Sequence, residues 1–417
     1  MPFRTALSGL NASSAELRVI GNNVANSATT GYKKSRTEFA DIYAFANLGA
    51  GSTTIGSGVR VTDISQQFSQ GNIGFTDNNL DIAISGQGFF RLNDNGVNIF
   101  TRNGTFSVDR SGYIVNSQDS RLTGFLADTA GNITGALGDI QLDTSDIAPL
   151  ASSRLSFGLN LDASAVATPA VLGPFDITDA STYNDSTSLT IYDSLGDSHL
   201  STSYYRKTAN PNEWETYTYI DGVQVNGAQG NGSDLLQFDS LGDLQSLNGA
   251  PTPPSSYTLA STYNPGNGAN NISLVMDYGS SSQYGGGFNV NALTQDGYST
   301  GRLSGIDIDD TGVVQARFTN GQTRTLAQIA LANFSNTQGL QQIGDTTWSE
   351  TFESGQALVG APGSSSLGLV QSGALEGSNV DLTEQLVNMI TAQRNFQANA
   401  QVISTADTIT QAIINIR

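Results

Sequence analysis

Apolar residues recur at alternating spacings of four and three near both ends of the chain. The first stripe occupies Phe3, Leu7, Leu10, Ser14, Leu17, Gly21 and Val24, and the second occupies Leu382, Leu386, Met389, Gln393, Phe396, Ala400 and Ile403. The second stripe then shifts by one residue and continues through Ala406, Ile409, Ile413 and Ile416. This spacing is typical of helices that pack side by side. It predicts helices over about 3–25 and 380–416, paired with each other as a coiled-coil-like stem.

Neither predicted helix is strong by itself. The first contains Asn11, Gly21 and Asn22, which are poorer helix formers than alanine. Capping signals precede the second, where Asp381 stands three residues before Glu384. Because short helices in water depend on packing, each apolar stripe needs a partner. The other stripe is the predicted partner within the chain.

The interior, from about residue 75 to 375, is typical of β structure. Alternating apolar residues are separated by turn signals, and Asn320-Gly321 predicts a hairpin. Residues 47–58 contain four glycines among serine and threonine, which predicts a loose junction. The predicted fold class is α+β and mainly β, with terminal helices, a β-rich middle domain and an inserted β-rich outer domain.

Composition excludes several classes of function. The chain has no cysteine, which excludes disulfides and thiolate metal sites, and one histidine, which excludes a multi-histidine metal site. Its net charge is −19, which disfavours binding to nucleic acid and anionic lipid. No apolar run is long enough for membrane insertion. We therefore expect no catalytic residue, no metal and no cofactor.

Two groups of residues superficially suit catalysis. His199 follows Asp197, but no Gly-x-Ser-x-Gly elbow accompanies them, so a hydrogen-bonded histidine on a strand is the preferred interpretation. Glu213 and Glu215 flank Trp214, as in a sugar site. Residues two apart on a strand face the same side, so the preferred interpretation places both carboxylates in solvent and Trp214 in the core.

Two further patterns have weak functional meaning. Residues 307–312 resemble the start of a calcium loop, but Phe318 occupies the position that needs a glutamate, so a hairpin turn is predicted. Lys33, Lys34 and Arg36 form a short basic patch that could bind phosphate or an acidic partner. We expect this patch to be a solvated face or an intersubunit contact instead.

Residues 22–33 carry the most informative pattern. Asparagine and threonine side chains follow an apolar stripe and can bond to backbone groups, and Gly31 suits a left-handed stop. The segment resembles the N-terminal signature of the bacterial flagellar axial proteins, the rod and hook family. The matching residues are Asn22, Asn23, Ala25, Asn26, Thr29, Gly31, Tyr32 and Lys33. Residues 79–90, 101–113 and 375–407 resemble three further blocks of that family.

Several features resemble the hook members of this family rather than its shorter rod members. They are segments 190–197 and 320–334 and the insertion 146–298. The resemblance implies a structural subunit that assembles into a flexible, curved tube and acts as a universal joint, transmitting torque from rod to filament. The alternative is another axial subunit, from the distal rod or a hook-associated position.

The resemblance also implies an arrangement of domains and a set of partners. It predicts a terminal helical inner-tube domain (1–26 and 378–417), a connecting segment (27–74 and 373–377), a β-rich middle domain (75–145 and 299–372) and an outer domain (146–298). The expected partners are copies of the chain itself, the flagellar rod, the hook cap, the hook–filament junction proteins and the flagellar export apparatus. The expected location is the extracellular hook, reached without a cleaved signal peptide.

The polymerisation surface is expected on the terminal stripes. Unpaired apolar residues that contact a neighbouring copy head to tail generate an open helical filament when the rotation does not close. The residues assigned to this surface are Phe3, Leu7, Leu10, Leu17, Val24, Leu382, Leu386, Met389, Phe396, Ile403, Ile409 and Ile413. The outer insertion carries three basic and fifteen acidic groups, a net charge of −12, which suits a solvent-facing domain.

Overall fold

The computed structural model describes residues 2–42, 56–128, 130–142, 145–167, 174–229, 231–251 and 255–415. The chain divides into two compact units. Unit 1 contains Met1–Thr144, Ser304–Arg317 and Thr323–Arg417, and unit 2 contains Ser145–Leu303 and Phe318–Gln322.

Two long helices lie at the ends of the chain, as predicted. Helix α1 spans Pro2–Ala25 and α2 spans Leu382–Asn415. The Asp381 carboxylate accepts hydrogen bonds from the backbone N–H groups of Thr383 (2.8 Å) and Glu384 (3.1 Å), so it caps the start of α2. Within the described residues, neither helix combines the length and the apolar character that a membrane crossing requires.

The two helices are antiparallel neighbours. Near the end of α1, the Asn23 side chain donates to Gln385 Oε1 at 3.1 Å. Near its start, a Cβ added at Gly9 would lie 2.8 Å from Asn399 Cγ. The two contacts are 14 residues apart on each helix, which fixes one register over that length.

The first ten strands belong to unit 1. They are β1 (Ser35–Asp41), β2 (Val59–Gln66), β3 (Ile73–Phe75), β4 (Ile82–Ser85), β5 (Phe89–Asp94), β6 (Val97–Thr101), β7 (Ser107–Val108), β8 (Ile114–Val115), β9 (Arg121–Ala127) and β10 (Ile133–Asp139). β1 and β2 form an antiparallel ribbon that contacts α1. The predicted loose junction 47–58 falls between them, and residues 43–55 of this region lie outside the described residues.

The next twelve strands belong to unit 2. They are β11 (Arg154–Asp162), β12 (Asp185–Tyr192), β13 (Ser198–Lys207), β14 (Glu213–Ile220), β15 (Val223–Val225), β16 (Asp234–Phe238), β17 (Leu244–Leu247), β18 (Ala250–Pro251), β19 (Ser256–Thr258), β20 (Val275–Asp277), β21 (Ser282–Tyr284) and β22 (Asn289–Gln295). One sheet has the order β12-β13-β14-β16-β17-β18, and a second is centred on β11. Alternate residues of both sheets share one core, which includes Phe157, Tyr205 and Trp214.

The last nine strands complete unit 1. They are β23 (Leu303–Ile308), β24 (Val313–Phe318), β25 (Thr323–Ile329), β26 (Leu331–Asn333), β27 (Gln341–Gly344), β28 (Thr347–Ser349), β29 (Leu358–Gly360), β30 (Leu369–Ser372) and β31 (Ala374–Glu376). β24 and β25 form the hairpin predicted at Asn320-Gly321, where Gly321 has a φ of 80°. The returning strands pair with the earlier ones, so that β25 lies beside β9, β30 beside β4 and β31 beside β3.

The core of unit 1 lies on the sheet that runs β23-β24-β25-β9-β5-β6-β28-β27. Ile82, Ile84, Phe90, Leu92 and Leu122 are completely buried there. β31 ends at Glu376, five residues before the cap of α2. The second helix is therefore joined to the sheet by a short connection.

Candidate functional site

The side chain of Asn23 holds the end of α1 in place. It is 1% exposed. Its amide donates to the Ser35 carbonyl (2.8 Å) and to Gln385 Oε1, and its oxygen accepts from the Ser35 N–H (2.9 Å) and the Tyr32 hydroxyl (3.2 Å). All of its usual hydrogen-bonding positions are therefore occupied. Asn23 joins α1 to the start of β1 and to α2.

The other polar residues of the signature shape the turn after α1. The Asn26 amide donates to the Asn22 carbonyl (2.9 Å) and to Asn22 Oδ1 (2.8 Å). The Thr29 hydroxyl donates to Asn26 Oδ1 at 3.2 Å. Ala25, the last residue of the helix, is exposed. These contacts are local, and they set the direction in which the chain leaves the helix.

Gly31 is required by two features of its position. Its φ is 70°, in the left-handed region predicted from the sequence. A Cβ there would lie 2.5 Å from the Asn103 nitrogen and 2.7 Å from the Arg102 carbonyl carbon, both of which are backbone atoms. The Gly31 N–H donates to the Glu376 carbonyl at 2.8 Å. Only glycine lets three distant segments of unit 1 meet here.

Glu376 is the centre of a buried ionic cluster. One carboxylate oxygen contacts Lys33 Nζ at 2.6 Å and accepts from the Gly71 N–H at 2.8 Å, and the other contacts Arg102 Nη1 at 3.1 Å. The side chains of Lys33 and Glu376 are 0% exposed and that of Arg102 is 3% exposed. We call Lys33, Arg102 and Glu376 the buried triad.

Each of the two cations also donates to one backbone carbonyl, while Arg102 Nε is buried without a hydrogen-bond partner among the described residues. Lys33 Nζ donates to the Ser69 carbonyl (2.8 Å), and Arg102 Nη2 donates to the Gly86 carbonyl (2.9 Å). Burial lowers the pKa of Lys33, the nearby Arg102 lowers it further, and the Glu376 carboxylate acts in the opposite direction. Because two buried cations share one carboxylate, removal of Glu376 leaves both uncompensated.

The C-terminal segment also binds the start of β1. Asn379 Oδ1 accepts from the Lys34 N–H at 2.7 Å, and its amide donates to the Gln67 carbonyl at 2.7 Å. Lys34 Nζ contacts Glu384 at 3.0 Å on the exposed side. The expectation of a solvated face is therefore wrong for Lys33, which is buried, whereas Arg36 is 66% exposed and pairs with Glu38 at 2.9 Å. A carboxylate distant in sequence neutralises Lys33.

The predicted apolar stripes are divided between exposed and partly buried positions of the helix pair. Phe3, Leu7, Leu382, Leu386 and Ile409 are 42–55% exposed. Leu10, Leu17, Val24, Met389, Phe396 and Ile403 are partly buried. The side chain of Ile413 lies outside the described part of α2.

The covered side of each helix mixes large apolar residues with small and polar ones. On α2 the most covered positions are Gln385, Met389, Ala392, Phe396, Asn399, Ile403 and Ala406, and on α1 they include Ala6, Ala12, Ser13, Ile20 and Asn23. Met389, Phe396 and Ile403 of the predicted stripe therefore lie on the covered side, whereas Leu382, Leu386 and Ile409 do not. Small side chains let the helix axes approach closely, whereas a pattern read from large apolar residues misses them.

The alternative chemical sites have structural explanations. Trp214 is completely buried, as predicted, so its ring is not available to a sugar. Glu213 accepts from the Thr208 hydroxyl (2.8 Å), and Glu215 from the Tyr217 hydroxyl (3.0 Å). Asp309 accepts from the N–H groups of Thr311 and Val313, both at 2.9 Å, within a turn. His199 is hydrogen-bonded, but its partners are Asp221 and Asp193 rather than Asp197.

The comparison with known proteins decides the family. The chain is 38% identical to the flagellar hook protein FlgE of Salmonella typhimurium over 420 residues, covering 100% of both chains. It is 40% identical to that of Escherichia coli over 424 residues, again covering 100% of both. The chain belongs to the flagellar hook protein family.

Four family models match successive parts of this hook-family chain. They are described as "Flagella basal body rod protein" (3–33), "Flagellar hook protein FlgE/F/G D1 domain" (83–156), "Flagellar basal body protein FlaE D2 domain" (160–298) and "Flagellar basal body rod FlgEFG protein C-terminal" (371–416). The signature 22–33 falls within the first match and Glu376 within the last. The buried triad therefore joins the first, second and fourth matched segments.

The fold is also similar to that of a solved structure. The crystal structure of Helicobacter pylori flagellar hook protein FlgE2 superposes with a TM-score of 0.54 at 16% sequence identity, covering 73% of this chain and 100% of that one. This likeness supports a mainly β fold with N- and C-terminal helices. The hook family is a family of structural proteins.

Sequence reasoning missed Arg102 and Glu376 as partners of Lys33. Both stand in blocks that resemble the family, but Lys33 and Glu376 are 343 residues apart. A single lysine in a signature gives no indication of its counter-ion. The one available signal for the burial of Lys33 was its position directly after Gly31 and Tyr32. Nothing in that segment of the sequence required the lysine to be exposed to solvent.

Proposed function

We propose that the chain is the structural subunit of a flagellar hook, a curved tube that acts as a universal joint between rod and filament. Membership of the hook family along the full chain is the observation that carries this proposal. The insertion that the rod members lack, matched by the D2 model over 160–298, disfavours the alternative of a distal rod subunit.

We propose that the exposed stripe residues form the polymerisation surface. Leu382, Leu386 and Ile390 follow one another at four-residue spacing on α2 and are 48–51% exposed. Phe3 and Leu7 have the same spacing on α1 and are 42% and 52% exposed. Each isolated subunit leaves these side chains in water, and their burial between copies contributes about 25 cal/mol per Å² of apolar surface. Neighbouring copies are the proposed partners.

We propose that α1 and α2 pair as an antiparallel coiled coil within each subunit. The covered positions of α2 from Gln385 to Ala406 alternate spacings of four and three. This is the 3.5-residue repeat of a left-handed coiled coil. The helix pair thus has one side of mixed small and large residues at the contact between α1 and α2, and another side of large apolar residues that faces other copies.

The proposed layers of the tube follow the predicted domains. The terminal segments 1–26 and 378–417 form the inner tube, 75–145 and 299–372 the middle layer, and 146–298 the outer layer, with 27–74 and 373–377 connecting the first two. The acidic charge of −12 on 146–298 supports an outer, solvated position.

Bending requires each row of subunits to lengthen and shorten once per turn. Small polar contacts between domains slide more easily than a large dry interface, and only 13% of the residues are charged whereas 46 are glycine. We propose further that the rod, hook cap, hook–filament junction proteins and export apparatus are the partners. Export without a cleaved signal peptide remains a prediction.

Electron microscopy of a deletion strain tests this function. We expect flagellar basal bodies that end at the rod when the gene is deleted, and short curved tubes that return when it is restored. Intact hooks in the deletion strain would contradict the proposal. A basal body that lacks its distal rod would favour the alternative.

A further inference from the structure

His199 faces a carboxylate at each of its ring nitrogens. It lies on β13 in unit 2, and its side chain is 10% exposed. Nδ1 is 2.6 Å from Asp221 Oδ2, and Nε2 is 3.4 Å from Asp193 Oδ2. A neutral imidazole carries one N–H and could donate to only one of these carboxylates. The arrangement is therefore complementary to the doubly protonated imidazolium.

The two carboxylates are themselves held by other segments of unit 2. Asp221 Oδ1 accepts from the Leu200 N–H (2.8 Å), and its Oδ2 accepts from the Tyr263 hydroxyl (3.1 Å). Asp193 Oδ2 accepts from the Asn267 amide (2.6 Å), which also donates to Asp197 (2.8 Å). We call His199, Asp193, Asp221, Tyr263 and Asn267 the His199 cluster.

The His199 cluster connects three parts of the chain. Asp193 lies in the turn between β12 and β13, Asp221 in the turn between β14 and β15, and Tyr263 and Asn267 in the segment between β19 and β20. The last of these segments has little regular structure. The ionisable groups around the imidazole are Asp193, Asp221, Asp197 and Tyr263, whose ring is 5.6 Å from that of His199.

The electrostatics agree with this geometry. Burial by itself lowers the pKa of His199, but the hydrogen bonds and charges of Asp221 and Asp193 outweigh it and raise that pKa above its ordinary value. Burial opposes ionisation of Asp193, yet hydrogen bonds from Asn267, from two backbone N–H groups and from His199 lower its pKa to about 2.

We propose that the His199 cluster is a pH-dependent clamp within unit 2: the imidazolium holds the three segments together, and loss of its proton weakens their attachment. The folded state binds this proton more tightly than the unfolded chain does. Stability from His199 is thus fully present below about pH 6.5 and is lost as the pH rises through the folded pKa. The contribution of Asp193 is present above about pH 4 and is lost as the pH falls toward 2.

Nuclear magnetic resonance of the full chain tests the proposal directly. His199 is the single histidine in the sequence, so a sample labelled with ¹³C at histidine Cε1 gives one signal to follow against pH. We expect a midpoint above the ordinary histidine value of about 6.5, because Asp221 and Asp193 favour the imidazolium. Asp221→Asn should lower the midpoint by about one unit or more, whereas the control Asp243→Asn, which removes an exposed carboxylate outside the cluster, should leave it nearly unchanged.

Denaturation measures how loss of the His199 proton changes the stability of unit 2. Trp348→Phe leaves the buried Trp214 as the single tryptophan and a reporter of this unit. A midpoint shift of one unit corresponds to a tenfold change in the folding equilibrium constant. We expect the constant to fall between pH 6 and pH 9 by the factor that the measured midpoint shift gives, and the fall to be lost in His199→Gln. A midpoint at or below 6.5, or an equal pH dependence in His199→Gln, would overturn the proposal.

Discussion

The Glu376 carboxylate accepts contacts from two cations and one backbone N–H while its side chain is fully buried. Lys33 belongs to the N-terminal signature, Arg102 follows β6, and Glu376 ends β31. The position of Lys33 in this buried triad, rather than any role at the protein surface, explains why the signature ends in a lysine. The triad fixes the point at which both chain ends enter the β structure of unit 1.

Glu376→Gln should destabilise unit 1 by about 3–5 kcal/mol, because it leaves two buried cations without their carboxylate. The matched control is Glu384→Gln, which removes the partner of Lys34 from a half-exposed ion pair and should cost at most about 1 kcal/mol. Urea unfolding in a Trp214→Phe background, where Trp348 alone reports on unit 1, measures both. Equal losses of stability in the two variants would show that burial of the triad does not determine the cost of removing its carboxylate.

Gly31→Ala should also destabilise unit 1, by more than the ~1–2 kcal/mol cost of a left-handed alanine. The added Cβ meets the backbone of Asn103 at 2.5 Å, where no side chain can move aside. Gly135→Ala is the control, since Gly135 has a similar φ of 78° and nothing within 4 Å. The same unfolding assay compares them. A loss no larger at Gly31 than at Gly135 would mean that the close approach is not needed.

Local rules predicted some residues well and distant partners poorly. The left-handed Gly31, the turn at Asn320-Gly321 and the buried Trp214 each follow from the residue and its immediate neighbours. The burial of Lys33 does not, because its neutralising carboxylate lies 343 residues away. Asn23 shows the same limit, since its bond to Gln385 crosses 362 residues.

At the scale of elements, the two terminal helices agree with the sequence prediction in extent, and only part of each predicted stripe lies on the covered side. Apolar periodicity placed α1 and α2 within two residues of their observed ends. It chose large residues throughout as the contact between them. At the covered positions of α2, large apolar residues alternate with small or polar ones, in the order Gln385, Met389, Ala392, Phe396, Asn399, Ile403 and Ala406. The periodicity of apolar residues predicts where a helix lies. The size of the residues on the neighbouring helix decides which side of it packs against that neighbour.

A pair of engineered cysteines tests the antiparallel register. The natural chain has no cysteine, so Gly9→Cys with Asn399→Cys introduces a single possible cross-link. A Cβ at position 9 would lie within 3 Å of the Asn399 side chain, so we expect rapid disulfide formation on mild oxidation. Peptide mass spectrometry after digestion identifies the bond.

The control pair for this cross-link is Gly21→Cys with Asn399→Cys. Gly21 has nothing within 4 Å of its Cβ position, and it lies twelve residues further along α1 than Gly9. It should form no intramolecular disulfide. Efficient cross-linking of the control, or failure of the Gly9 pair under the same conditions, would contradict the register.

At the scale of the whole molecule, the two units have different tasks in the proposed hook. Unit 1 carries the terminal helices, the buried triad and the exposed apolar residues that other copies would cover. Unit 2 carries most of the net negative charge, with 15 acidic and 4 basic residues, and the His199 cluster. Its architecture was predictable only as β-rich, because the pairing of β11 with β20, β21 and β22 joins residues more than a hundred positions apart.

The central claim is that exposed apolar residues on the terminal helices join one copy to the next. Leu386→Asp tests it, because Leu386 is 51% exposed in the single subunit. An aspartate there should leave the monomer folded, as circular dichroism would verify, yet place a charge in the proposed apolar contact between copies. Gln397→Asp, at an exposed polar position of the same helix, is the matched control.

The decisive measurement is electron microscopy of flagella from a deletion strain that expresses each variant. We expect normal curved hooks with the wild-type chain and with Gln397→Asp, and basal bodies that end at the rod with Leu386→Asp. Hooks of normal length and curvature built from a folded Leu386→Asp subunit would contradict it.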